Sequence, residues 1–108
     1  MAEAEPTTIR LRHYTRKSSK ERILTEGRLL ARDQNKVFVE QAAREPLSSH
    51  EAEAKYLLKR GKGNAYVEFD AQQEEVHEQA NRLTGETEFF LYGTVDLSGR
   101  NPQGFDNR

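Results

Sequence analysis

The chain contains no cysteine, which excludes disulfide bridges and thiolate metal sites and is compatible with either side of a membrane. It lacks any apolar run near the roughly 18 residues needed to span a bilayer, and no signal peptide is visible. A domain of this kind reaches another compartment or another cell only on a carrier. Neither sign of charge dominates: 17 basic against 18 acidic side chains leave a net charge of −1. No global field therefore draws the protein to nucleic acid or membrane, although a local basic patch is compatible with that balance. Apolar residues are 34% of the chain and charged ones 32%, which predicts a thin core under a heavily solvated surface. The apolar residues fall in clusters, the mark of a folded domain with frayed ends rather than a disordered chain. At 108 residues there is material for one modest core and not for two.

Short strands alternate with short helices along the chain. Residues 1–8 show no periodicity and predict a flexible lead-in. Ile9, Leu11 and His13 alternate with Arg10 and Arg12, the period of a half-buried strand. Ser18 followed by Glu21 reads as a capping box, which predicts a helix from Ser19 to Glu26 that stops at Gly27. Lys36 to Glu40 is rich in β-formers. Ser48 with Glu51 repeats the capping signal, with Ala52, Tyr56 and Leu57 as one face and Gly61 as the stop. Gly61 to Asn64 is a turn, and Ala65 to Asp70 a further strand. Gln72 to Leu83 fits a helix as well as a polar hairpin arm. Thr84-Gly85 turns the chain into a strand from Glu88 to Val95, and Asp96 to Arg108 is turn-rich without a core signal. The domain is thus expected over 9–102, with 103–108 a flexible tail. Roughly five strands and two or three short helices in this order predict an α+β fold: a curved, mostly antiparallel sheet that can split to form a cleft.

The residues suited to chemistry lie toward the two ends. Leu11-Arg12-His13-Tyr14-Thr15 occupies the opening strand, Phe38 a middle strand, and Glu86-Thr87-Glu88 the entry to a late one. Together with the runs Lys36 to Glu40, Gly61 to Asp70, Thr87 to Phe90 and Val95 to Pro102, their order and spacing resemble a known family. It comprises the small ADP-ribosyltransferase toxin domains at the carboxyl ends of bacterial polymorphic toxins, in particular the TreTu type carried on Rhs proteins. The resemblance implies a split antiparallel sheet that cradles NAD as substrate. By position it implies that His13 holds the adenosine ribose, that Phe38 stacks near the nicotinamide, and that Glu88 is the catalytic acid. It further implies modification of a bacterial cytosolic protein, elongation factor Tu for the TreTu type, with a block of translation. The chain departs from the wider superfamily in carrying Phe38 where Tyr is frequent, and in its shorter core.

The residue types suit that reaction. Breaking the bond between nicotinamide and ribose passes through an oxocarbenium-like state, which calls for a carboxylate beside the ribose. The dinucleotide must also be held in pose by hydrogen bonds and by flat apolar faces. His13 can supply the hydrogen bonds, with Thr15 beside it; Tyr14 and Phe38 can supply the faces, and Glu88 the carboxylate. The guanidinium forks of Arg10, Arg12 or Arg16 match the pyrophosphate. Glu86, two residues before Glu88, shares its strand face; in arginine-modifying transferases such a pair is thought to position the acceptor guanidinium, and a plain hairpin end is the other reading. Asp70 and Asp96 are alternative acids, although Asp96 equally suits a turn that hydrogen-bonds its own backbone.

Two other classes compete. One is a metal-independent ribonuclease toxin using His13, His50 or His77 with Lys62 on phosphate, against which the near-neutral charge counts. The other is a non-enzymatic module that binds a protein partner. The toxin reading carries expectations about partners: a target protein and a cognate immunity protein, with neither membrane nor nucleic acid. It also expects delivery as part of a larger toxin and action in the cytoplasm of the attacked cell.

Overall fold

The computed structural model describes residues 7–31 and 33–108. Alternating side chains make β1 (Thr8–Thr15), after which come helix α1 (Lys17–Glu26), β2 (Arg28–Leu29), β3 (Lys36–Gln41) and helix α2 (Ser49–Lys55). The second half supplies β4 (Ala65–Gln72), β5 (His77–Ala80), β6 (Thr87–Tyr92), β7 (Val95–Asp96) and β8 (Gln103–Asp106). Six strands form one sheet in the order β5-β6-β3-β1-β4-β8, every neighbouring pair antiparallel, and β2 with β7 forms a small second sheet. This is the expected α+β architecture. No helix among the described residues is long and apolar enough to cross a membrane.

The sheet has one apolar and one polar face, because strand side chains alternate. Leu11, Val37, Val39, Phe69, Ala71 and Leu91 cover the first face and, with Leu29, Val95 and Leu97, form the core. The even-numbered residues of β1, β3, β4 and β6 cover the second: Arg12, Tyr14, Lys36, Phe38, Glu40, Tyr66, Glu68, Glu88 and Phe90. Strand β4 is buried at every second position from Ala65 to Ala71, as befits a strand paired on both sides.

Several elements differ from the sequence reading. Helix α1 begins at Lys17 with Arg16 as its N-cap and no side-chain cap, so the Ser18–Glu21 box does not form. Its end is as expected: Gly27 takes φ 71° and its N–H closes on the Ile23 carbonyl, a conformation that costs glycine little. In α2 both halves of the Ser48–Glu51 capping box are present, but the helix caps at Tyr56 rather than running to Gly61. Leu57 turns left-handed at φ 55°, and the Glu53 carboxylate gathers the N–H groups of Gly61 and Gly63 at 3.0 and 3.2 Å. A charged acceptor inside the turn competes with helix continuation. Gln72 to Leu83 resolves as a short 3-10 turn and strand β5, the hairpin arm and not the helix. The strand expected from Glu88 to Val95 breaks at Gly93, which has φ 74°.

At the ends, residues 1–6 of the expected lead-in lie outside the described residues, and Thr8 already opens β1. Residues 103–106, expected in the tail, pair with β4 as its outer neighbour. An open strand edge offers unpaired N–H and C=O groups, and here β8 takes them. Gly104 makes room for this: a Cβ there would stand 2.7 Å from Leu24 and 2.9 Å from Lys20 of α1.

A candidate functional site at the split in the sheet

Strand β1 pairs with β4 along its whole length, from Thr8 opposite Gln72 to Thr15 opposite Ala65. With β3 it pairs only at Leu11–Gln41 and Arg12–Glu40. Beyond that point β3 turns its pairing to β6, from Lys36–Tyr92 to Val39–Phe89. The two central strands therefore part, which strands a backbone carbonyl that must find another donor. His13 meets it: its Nδ1 lies 2.7 Å from the Phe38 oxygen. A carbonyl only accepts, so Nδ1 carries the proton.

The split opens into a groove made of two hollows that share Lys36, Phe38, Tyr56 and Leu57. One, of about 620 Å³, runs to the β5–β6 turn and ends at Gln79, Asn81, Arg82, Leu83 and Glu88. The other, of about 440 Å³, runs past His13, Tyr14 and Thr15 to Arg16, Ser19, Lys59 and Lys62. Cations line both hollows, Arg16, Lys59 and Lys62 the second, Arg82 the first and Lys36 both, while Glu88, in the first, is the only carboxylate among the described residues lining either one.

Glu88 is held by neutral groups. Asn81 Nδ2 donates to Oε1, and Gln79 Nε2 donates to Oε2 at 3.4 Å. Lys36, on the neighbouring strand, gives its ammonium to the side-chain oxygens of Gln34 and Gln79 at 2.9 and 2.7 Å and lies 4.4 Å from the centre of the Phe90 ring. Amides orient the carboxylate without cancelling its charge.

Behind the groove lies a buried ionic knot. Arg12, 2% exposed, donates to Glu40 at 2.7 Å, to Glu68 at 3.0–3.1 Å, and to the carbonyls of Ala42 and Arg44. Glu40 also accepts from the hydroxyls of Tyr14 at 2.7 Å and Tyr56 at 3.1 Å. Burial first, and then the Glu40 carboxylate, push both phenols above their ordinary range, so both remain donors. This knot fixes Tyr56 as a wall of both hollows.

The structure thus brings His13, Tyr14, Thr15, Phe38 and Glu88 to one groove. Arg12 is placed elsewhere: its donors are spent inside the knot, and it stands beneath the groove instead of facing a pyrophosphate. Arg10 is bound to Asp70, Gln103 and the Arg100 carbonyl, so of the three arginines Arg16 is the one that lines the groove. Glu86 is exposed just ahead of β6 and lines a neighbouring hollow with Glu78 and Phe89. Neither Asp70, paired with Arg10 and Asn101, nor Asp96, which accepts from the Ser98 N–H, lines the groove. His50 and His77 lie outside it too; His77 stacks on Phe90. Sequence reading missed Tyr56, Gln79 and Asn81. Tyr56 reads simply as part of a helical apolar face, and amides in a polar hairpin carry no distinguishing signal.

The model of a toxin family described as HYD1 signature containing ADP-ribosyltransferase matches residues 11–101. The chain belongs to that family. No curated protein and no solved structure matches it. The matched span of this ADP-ribosyltransferase toxin domain includes both hollows and the whole ionic knot.

Proposed function

We propose that the chain cleaves NAD in the groove and transfers ADP-ribose to a protein of the bacterial cytosol. The observation that carries this reading is a continuous groove in which three cations, Arg16, Lys59 and Lys62, gather in one hollow and the sole lining carboxylate, Glu88, held by two amides and in no ion pair among the described residues, lies in the other. The pyrophosphate lies among Arg16, Lys59 and Lys62, where ammonium and guanidinium donors suit phosphate oxygens. His13 and Thr15 meet ribose hydroxyls, and Phe38 and Tyr56 face the nicotinamide. Glu88 stands against the positive charge that develops as the ribose–nitrogen bond breaks. Nicotinamide leaves with the bonding electron pair, and the acceptor nucleophile adds to the ribose and loses its proton. Water in that place gives NAD hydrolysis. Glu86, at the rim, would meet the acceptor. In the TreTu-like form of this reading the acceptor is elongation factor Tu and the outcome is a block of translation. The domain would arrive as part of a larger toxin, and an immunity protein would restrain it in the producing cell.

The test is incubation of the purified chain with NAD, with release of nicotinamide as readout and labelled NAD in a bacterial lysate as the acceptor assay. Wild type should release nicotinamide and mark one abundant band, and its expression should arrest growth. Glu88→Gln removes the charge and should lower activity roughly a hundredfold or more. Near-full activity in that variant would remove Glu88 from the chemistry and, since neither Asp70 nor Asp96 lines the groove, would overturn the groove reading. Loss of RNA without nicotinamide release would replace the transferase reading by a nuclease.

A further inference from the structure

The β5–β6 turn is organised by one residue. The Asn81 side-chain oxygen accepts from the N–H groups of Leu83 at 2.8 Å and Thr84 at 3.1 Å. Its backbone N–H donates to the Glu86 carbonyl, and its own carbonyl accepts from Gly85, at 2.8 and 2.7 Å. For these tasks Asn and Asp serve equally, since both present a side-chain oxygen to a turn. The remaining group of Asn81, its amide Nδ2, donates to Glu88 Oε1. That bond is available to an amide and not to a carboxylate.

We infer that Asn81 is a positioning residue for Glu88: it ties the orientation of the carboxylate to the turn between residues 82 and 85 that its own side-chain oxygen holds. The inference rests on the proposed NAD-cleaving role of Glu88, and it assigns the turn a part in that chemistry. With Asn81 in place, Oε1 is occupied and Oε2 has the longer 3.4 Å contact to Gln79. The carboxylate is therefore fixed on one side and more loosely held on the other. Loss of the Asn81 amide frees Glu88 to rotate, and misplacement of a reacting group by about 1 Å costs on the order of a hundredfold in rate.

Asn81→Asp separates this role from a structural one, since it keeps the acceptor that caps the turn and replaces the donor to Glu88 by a second negative charge. The other charged or titratable groups around Glu88 are Lys36 of β3, Tyr56 after α2, Arg82 of the turn and Glu86 ahead of β6, and the substitution leaves them all unchanged. The variant should still fold, with its unfolding temperature at neutral pH lowered only by the repulsion of the two neighbouring carboxylates. Its kcat for NAD hydrolysis should fall about ten- to a hundredfold with KM shifted less than about threefold. The acidic limb of its pH–rate profile should move to higher pH, because a like charge nearby favours the protonated carboxyl. Asn81→Ala, which loses both functions, should add a loss of thermal stability.

A readout free of activity is the nuclear magnetic resonance of the Asn81 side-chain amide. At neutral pH its signals in wild type should carry the imprint of the carboxylate that accepts from it, and Glu88→Gln should displace them. Wild-type kcat in Asn81→Asp, or amide signals indifferent to Glu88→Gln, would overturn the inference. If the amide reports Glu88 but wild type cleaves no NAD, the positioning contact stands and the NAD reading falls.

Discussion

The two sides of the split sheet use carboxylates on the same face in opposite ways. Around β1, β4 and the end of β3 that still pairs with β1 they are matched to arginine: the buried Glu40 and its neighbour Glu68 to Arg12, and the part-exposed Asp70 to Arg10. Along β3, β6 and β5 the corresponding cation, Lys36, is drawn off to two glutamine oxygens and an aromatic ring, and Glu88 is left to two neutral amides. The first arrangement neutralises buried charge so that strands can part without exposing an unpaired ion. The second orients a carboxylate by amides and outside any ion pair among the described residues, which on the proposed reading faces the cation that develops during NAD cleavage.

Breaking the first side should have the largest effect. Arg12→Ala leaves Glu40, 5% exposed, buried without its cation, and should cost about 3–5 kcal/mol of stability in urea unfolding. Glu88→Gln on the second side should change stability by roughly 1 kcal/mol or less while activity collapses as described. If both substitutions lower stability and activity together, the division between the two sides is wrong. His13→Ala, at the junction, removes the donor to the Phe38 carbonyl and, on the proposed reading, a hydrogen bond to NAD. In calorimetric titration it should weaken NAD binding several-fold, the scale of about 1 kcal/mol. Unchanged affinity in the folded variant would remove His13 from the site.

The smallest effect concerns acid. Arg100 grips Glu75 with both nitrogens at 2.8 and 3.0 Å. That pair, and then the Gln72 N–H, hold the Glu75 carboxyl down at about 2 against its ordinary 4.5. A depressed value means that the group stabilises the fold above pH 4.5 and that this contribution fades as pH falls from about 4.5 toward about 2. Glu75→Gln should flatten the acid dependence of stability in that window, measured by unfolding at pH 6 and pH 3. An unchanged slope would show that the Arg100–Glu75 grip is as weak as an exposed ion pair.

Much of this protein is local, and so legible in its residues. The alternation of Ile9, Leu11 and His13, the reciprocal cap of Ser48 and Glu51, and the stop at Gly27 depend on groups within a few residues of one another. Glu88 was legible as an acid entering a strand, with His13 and Phe38 on two others. What the chain alone does not show is which strand edges meet. The allegiance of β3 to β6 rather than to β1 beyond Glu40 creates the split. The pairing of β8 turns an expected tail into a sheet edge. The burial of Arg12 places it in the knot and not among the residues lining the groove, and the return of α2 over the sheet brings Tyr56 to the groove. Each of these is a choice among non-local partners, made by closing the hydrogen bonds and burying the charges of the whole sheet at once. Local sequence determined most of the elements and named the candidate residues; the tertiary structure decided which of them face the same groove.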